Sequence, residues 1–482
     1  MTMTRDSVTM SDLWRMGALE LSEEIRKRVV SSREVVEAHL RRIEEVNPAI
    51  NAITVVLADQ ALEAAESADR ISIAAGDRLP VLHGVPFTVK ENIDLEGTPT
   101  THGLKALAEA YPSRDAPVVE RLKTAGGIPL GHTNCSTITV RWHTESEIWG
   151  STVNPWNRSR TPGASSGGEA AALATGMSPL GVGNDGLGSL RWPAQCCGVS
   201  ALKPTIGRIP HAGSLEPADT AIGIQLTSVE GPMAREIADL RAAFAIMTGP
   251  TWRDPWTVPA PLRGPGLLEP IRVALVTDPG GQGVSAQVEE GVRTAAATLE
   301  EAGYRVEEIA PPSIDAAAGI LLDMLNTPDL RAMRQMMAPL LPAETKEFLT
   351  DFYQAAGDPD PVRILQSFVV RQSLLRAWSE FLEAHPLVVA PIATDVPFLV
   401  GTDLGKGRVA ETIHMMRMAM AVNAMGLPAV AVPVGIRDGL PQVVQIIAGR
   451  YREDLCLDAA QAVEDLLGVI TPIDPIQGEE KP

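Results

Sequence analysis

Residues 154–194 read NPWNRSRTPGASSGGEAAALATGMSPLGVGNDGLGSLRWPA, and most of what the chain says about its architecture is concentrated there. Gly163-Ala164-Ser165-Ser166-Gly167-Gly168 runs into an alanine-rich segment that reads as a helix from about Glu169 to Thr175. Hydroxyls and backbone amides are thereby gathered at a positive helix end. Asp185-Gly186-Leu187-Gly188-Ser189 then sets a serine behind a loop of small residues, whose consecutive N–H groups could converge on a developing oxyanion. Upstream, Lys90 closes the apolar, strand-like run Val85–Val89. An ammonium beside such a run is costly unless it is paired or deprotonated, and a lysine neutral near pH 7 is a general base. Taken singly, each feature also reads as an ordinary turn or strand end.

Two shorter motifs overlap this stretch. Gly181-Val182-Gly183-Asn184-Asp185-Gly186 matches GxGxxG, but dinucleotide binding needs a helix opening there, and Pro193 argues against a long one. Gly163-Ala164-Ser165-Ser166-Gly167 matches the GxSxG elbow of α/β-hydrolases, for which Asp395 and His414 are the available acid and base. Both histidines in that part of the chain, His385 and His414, stand in apolar or helical contexts that suit structural roles.

The 482 residues are 45% hydrophobic and 21% charged, enough apolar matter for a large core. A formal net charge of -19 makes nucleic acid and anionic membranes poor partners. Cys135, Cys196, Cys197 and Cys456 show no zinc or disulfide spacing, so no metal is expected. The start MTMTRDSVTMSDLW lacks a basic-then-apolar leader, and no uncharged run is long enough to span a bilayer; a cytoplasmic protein is expected.

On either side of the central stretch, strand and helix alternate. Ser31 and Glu34 form a capping box opening a helix that Asn47-Pro48 is expected to break. Strand-like VPFTV and IPLGHT flank a helix that Asp115 is expected to cap, with Pro117 in its first turn. Six prolines between 250 and 270 read as a surface connection. They lead to a β-α-β unit with strands at Ile271–Thr277 and Tyr304–Ile309. Residues 311–420 read as helical and rich in methionine, a residue that fills irregular cores and lines adaptable pockets. Strand-like Ala429–Val434 and Val443–Ile447 and a terminal helix close an α/β protein.

Taken together, GVPFTVKENID (84–94), the 154–168 block, GNDGLGSLRWPA (183–194) and SALKPTIGR (200–208) strongly resemble the amidase signature family of serine hydrolases. NAMGLPAVAVPVG (423–435) and GLPQVVQIIAG (439–449) look like the family's C-terminal elements. Lys90, Ser165 and Ser189 also stand at the family's usual intervals.

The resemblance implies one domain over 1–482, with a signature core at about 84–208 and a variable substrate-pocket region at about 311–420. Its fold would be α/β, a twisted mixed β-sheet with helices on both faces. It implies Ser189 as nucleophile, Ser165 as the serine of a cis peptide and Lys90 as base, with Gly186, Leu187, Gly188 and Ser189 offering N–H groups to the oxyanion. No metal or cofactor is implied. Asp185, Arg160 and Arg191 would brace the loop, Thr139 and Arg141 would touch substrate, and 396–408 reads as either a lid or a plain glycine-rich loop. Leu187 departs from the family's DxGGS and Ala164 from its GGSSGG. A re-shaped loop, with Gly186 taking the unusual dihedral, would accommodate the leucine. The expected activity is hydrolysis of carbonyl–nitrogen bonds in aryl or alkyl amides and carbamates (urethanes), with a small-molecule substrate as partner and a homodimer left open. The alternatives are the glutamine-amidase subunit of a tRNA-dependent amidotransferase and a catalytically silent binding protein of the same fold.

Overall fold

The computed structural model describes residues 13–75, 79–215, 219–267, 270–358 and 360–476. The stretch read for a leader lies, up to residue 12, outside the described residues. Strands follow in chain order as β1 (Ile53–Val56), β2 (Pro86–Lys90), β3 (Ile128–Thr133), β4 (Glu145–Ser146), β5 (Gly150–Ser151), β6 (Leu180–Asp185) and β7 (Ser200–Lys203). Then come β8 (Val229–Ala234), β9 (Arg272–Leu275), β10 (Arg305–Glu308), β11 (Leu387–Pro391), β12 (Ala429–Arg437) and β13 (Leu440–Ala448). Eleven of them form one sheet in the order β1-β3-β2-β6-β8-β7-β12-β13-β11-β9-β10, and β4 and β5 make a separate ribbon. β2 is parallel to β3 and β6, whereas β8 is antiparallel to β6 and β7, so the sheet is mixed. Two large clusters of buried apolar residues share the sheet's apolar side chains. Among the described residues, no helix is long and apolar enough to cross a membrane.

The centre of the sheet is built around glycine. The helix Gly167–Ala174 is buried on every side, as its run of small, mostly apolar residues requires. It lies so close to β6 that a Cβ at Gly181 would collide with Glu169, and one at Gly183 would come within 2.8 Å of Ser166 Oγ. These two glycines are therefore strand positions beneath a helix, which ends the dinucleotide reading of GxGxxG.

Several local expectations are corrected. The helix Ser32–Ile50 keeps its Ser31–Glu34 capping box but runs through Pro48. Pro48 sits in the last turn, and Asn47 Oδ1 gathers the Ala52 and Ile53 N–H groups just beyond it. Asp115 does not cap Pro117–Thr124; Ala116 occupies that position, leaving Asp115 one residue too early. Its carboxylate instead accepts from Glu96 N and pairs with Lys123 at 2.6 Å. The expected all-helical span 311–420 is interrupted by β11, a buried run too short for its period to separate strand from helix. Met324, Met416, Met418 and Met420 are core residues, whereas Met336 is largely exposed.

Candidate active site

Lys90 ends β2 with no solvent exposure. Its Nζ lies 2.7 Å from Ser165 Oγ and 2.5 Å from Asn184 Oδ1. Burial pushes the amine down to about 8, against the opposing pull of Cys135, Glu230, Asp185 and Glu169. Ser165 follows a cis Ala164–Ser165 peptide in the loop that opens the buried helix. Gly163 makes that loop possible: its φ is +79° and a Cβ there would meet Pro193 Cα at 2.6 Å. The second serine loop is tied to the first by Ser166 N donating to Ser189 O at 3.3 Å. Ser189 keeps 8% of its surface open to solvent. The structure thus brings Lys90, Ser165 and Ser189 into one small region. Asp395 and His414 are exposed, and among the described residues neither touches Ser165, so the elbow reading lacks its partners.

The loop between Asp185 and Ser189 is re-shaped, but not where expected. Gly188, with φ +98°, takes the left-handed position; neither Gly186 nor Leu187 does. Leu187 packs its side chain against the main core, and its carbonyl accepts from Trp142 Nε1 at 3.4 Å. Of the four N–H groups expected to face an oxyanion, that of Gly188 is instead spent on Asp185 Oδ1 at 2.7 Å. Among the described residues, the N–H groups of Gly186, Leu187 and Ser189 have no protein acceptor. Gly188→Ala would add a Cβ 2.6 Å from the Met416 methyl and force a left-handed alanine. The methyl can move aside but the backbone strain stays, so a loss of about 1–2 kcal/mol is expected in chemical denaturation.

Behind the loop, Asp185 and Arg191 form a fully buried pair, with Arg191 Nε 3.0 Å from Asp185 Oδ2. Burial alone would raise the Asp185 carboxyl, but Arg191 and the Gly188 N–H hold it well below the usual carboxylate range. Asn423 and Gln445 complete the network: Asn423 Nδ2 donates to Asp185 Oδ1 at 3.0 Å, and Arg191 Nη1 donates to Gln445 Oε1 at 2.8 Å. Arg160 is not part of it, contrary to expectation. Its guanidinium donates to Pro397 O at 2.5 Å, because residue 160 forms a β-bridge with Leu399.

Arg141 is held in an ion-pair cluster. It is 3% exposed, and its guanidinium spends three of its five N–H groups on Asp403 (3.0 and 3.1 Å) and Glu145 (2.7 Å), whose two carboxylates neutralise it. Thr139 stays half-buried in a loop where it and Ile138 both take positive φ. The 396–408 segment is anchored at several points. Phe398 stacks on Trp192 with ring centroids 5.9 Å apart, Val400 N donates to Ser159 O, and Asp403 is the buried partner of Arg141. An aromatic run, Trp142, Phe348, Phe352 and Tyr353, packs edge to face and in stacks, with centroids 5.6–6.5 Å apart. Asn184, Asn423, Gln445 and Asp403 were missed as site residues, since nothing local marks an amide or acid that matters only through a distant partner.

The Amidase family model matches residues 34–457, and the chain belongs to the amidase signature family of amide hydrolases. It is 40% identical over 460 residues to an indoleacetamide hydrolase from Bradyrhizobium diazoefficiens, covering 95% of this chain and 88% of that one. It is 30% identical over 478 residues to an acylamidase from Rhodococcus erythropolis, covering 95% and 96%. The fold is similar to that of a bacterial aryl acylamidase of the amidase signature family, with TM-score 0.81, 25% identity, and 94% and 96% covered.

Proposed function

We propose that this chain hydrolyses the amide bond of a small aromatic or apolar amide through an acyl-enzyme on Ser189, with Ser165 and Lys90 moving the proton. The observation that carries this reading is the buried Lys90 amine 2.7 Å from Ser165 Oγ, in a loop hydrogen-bonded to that of Ser189. A serine hydroxyl is a weak nucleophile until its proton is taken. Ser165 accepts the proton of Ser189 while passing its own to neutral Lys90, and Ser189 Oγ bonds to the carbonyl carbon. The carbonyl oxygen, now negative, faces the N–H groups of Gly186, Leu187 and Ser189; a single such donor is typically worth about 10²–10³ in rate. The carbon–nitrogen bond breaks as Ser165 returns a proton to the departing amine and Lys90 gives its own back to Ser165. Water then cleaves the acyl ester by the same relay.

The likeness to an indoleacetamide hydrolase favours an arylacetamide as substrate, with Thr139 as a contact and Trp142 beside the loop, its Nε1 donating to Leu187 O. A carbamate offers the same carbonyl–nitrogen bond and is the second substrate to try. Glutamine is less suited, because the arginine expected near the acyl pocket, Arg141, is already neutralised by Asp403 and Glu145. The test is release of the amine or ammonia from indole-3-acetamide, a simple anilide, an aryl carbamate and glutamine by the purified chain. Turnover of glutamine alone would overturn the arylamide assignment.

The base must be neutral to act, and its pKa is lowered to about 8. Activity is therefore expected to rise with pH and level off above about 8, with about one molecule in ten competent at pH 7. A kcat/KM profile flat from about pH 6 to 9 would count against Lys90 as the base.

A further inference from the structure

Asn184 stands on β6 one residue before Asp185 and reaches the same amine as Ser165. Its Oδ1 is 2.5 Å from Lys90 Nζ, and its Nδ2 donates to Asn92 Oδ1 at 3.1 Å. The two amides are paired in this sense: with Asn184 Nδ2 on the Asn92 oxygen, Asn184 Oδ1 is the atom that faces the lysine. An amide oxygen only accepts. A neutral primary amine has two N–H groups and one lone pair, and the Asn184 contact can use only an N–H. Ser165 Oγ is the remaining hydrogen-bond partner of Nζ among the described residues.

We infer that Asn184 is a positioning residue that turns the lone pair of neutral Lys90 onto the Ser165 hydroxyl, and does so with an acceptor that carries no charge. This rests on the relay reading of Lys90, Ser165 and Ser189. The absence of charge matters because the amine already faces several acids. Glu230 on β8 is the direct cross-strand partner of Asn184; Asp185 follows it on β6; Glu169 comes from the buried helix and Cys135 from the loop after β3. His102 and His211 also sense the lysine, and His211 Nδ1 lies 3.1 Å from Glu230 Oε1. Burial outweighs these acids with a neutral group in direct contact. A carboxylate in place of the amide would favour the ammonium, which has no lone pair to offer.

The test is the pH dependence of Ser189 phosphonylation by a small fluorophosphonate, with fluoride as the leaving group, followed by intact mass, for the wild type, Asn184→Asp and Asn184→Leu, with Lys90→Ala and Ser189→Ala as references. Asn184→Asp is close to isosteric, and its charge is expected to move the midpoint alkaline by ~1–3 pH units. At pH 7 that is ~10–10³-fold slower labelling, most of it recovered above the new midpoint, a recovery that also shows the variant is folded. Asn184→Leu keeps the site uncharged but frees the amine to turn. It is expected to lower the plateau by about tenfold or more, with no alkaline shift. A merely structural role would lower thermal stability and plateau in both variants and leave both midpoints in place. Should Asn184→Leu not fold, the Asn184→Asp midpoint decides alone. The inference is overturned if that midpoint coincides with the wild type while Lys90→Ala still abolishes labelling. Labelling of Lys90→Ala at the wild-type rate would overturn the relay itself, and this role with it.

Discussion

Ser189→Ala is expected to lower amide turnover by about 10⁴–10⁶-fold and to remove the fluorophosphonate adduct, while changing the unfolding midpoint little. The activity loss follows from the loss of the only hydroxyl proposed to bond to the carbonyl carbon. The small stability effect follows from the position of Ser189, whose backbone carbonyl, not its side chain, ties it to Ser166. Lys90→Met should separate activity from stability more sharply. It removes the base, at a cost of about 10³-fold or more, yet replaces a buried amine with an apolar side chain of similar length. Desolvation of Lys90 works against its charged form, and the methionine relieves that while stranding Asn184 Oδ1, so the two offset and the variant is expected to stay within about 1–2 kcal/mol of the wild type in urea. A Lys90→Met protein that keeps its activity, or an adduct found on Ser165 in place of Ser189, would sink the relay.

Arg191→Met is expected to cost more stability than any other change considered, about 3–5 kcal/mol. The guanidinium is fully buried and bonds Asp185, Gln445, Asn423 and the Ala419 carbonyl at once. Its removal strands the Asp185 carboxylate without its neutralising charge and leaves several acceptors unpaired. Because Asp185 also holds the Gly188 and Leu190 N–H groups, the 186–189 loop should lose its shape as well. Chemical denaturation together with the acylation rate checks both effects. A shift below about 1 kcal/mol would mean that the pair is not the loop's anchor.

The elements best legible in the sequence were those whose cause is local. The Ser31–Glu34 box, the strand ending at Lys90, the alanine helix behind Ser165 and the 271–309 β-α-β unit each sit within a few residues of their expected bounds. β11 was missed because a fully buried five-residue strand shows no alternation, and helices flank it on both sides. Pro48 misled for a related reason: a proline in a helix's last turn loses one bond, and side-chain amides nearby can replace what the end of the helix lacks.

The α/β class, the family, and the order in which a lysine and two serines occur could all be read from the chain's letters. Residue chemistry and short-range spacing survive in such a string. Three-dimensional packing was needed to show that Gly188 bends and spends its N–H, that Arg160 belongs to residues 397–399, and that Arg141 neutralises Asp403 across 262 positions. It likewise placed Asn184 against a lysine 94 residues away. These are hydrogen bonds between buried groups, each of which must find a partner somewhere. Which partner it finds is settled by packing over the whole sheet, and no local pattern encodes it.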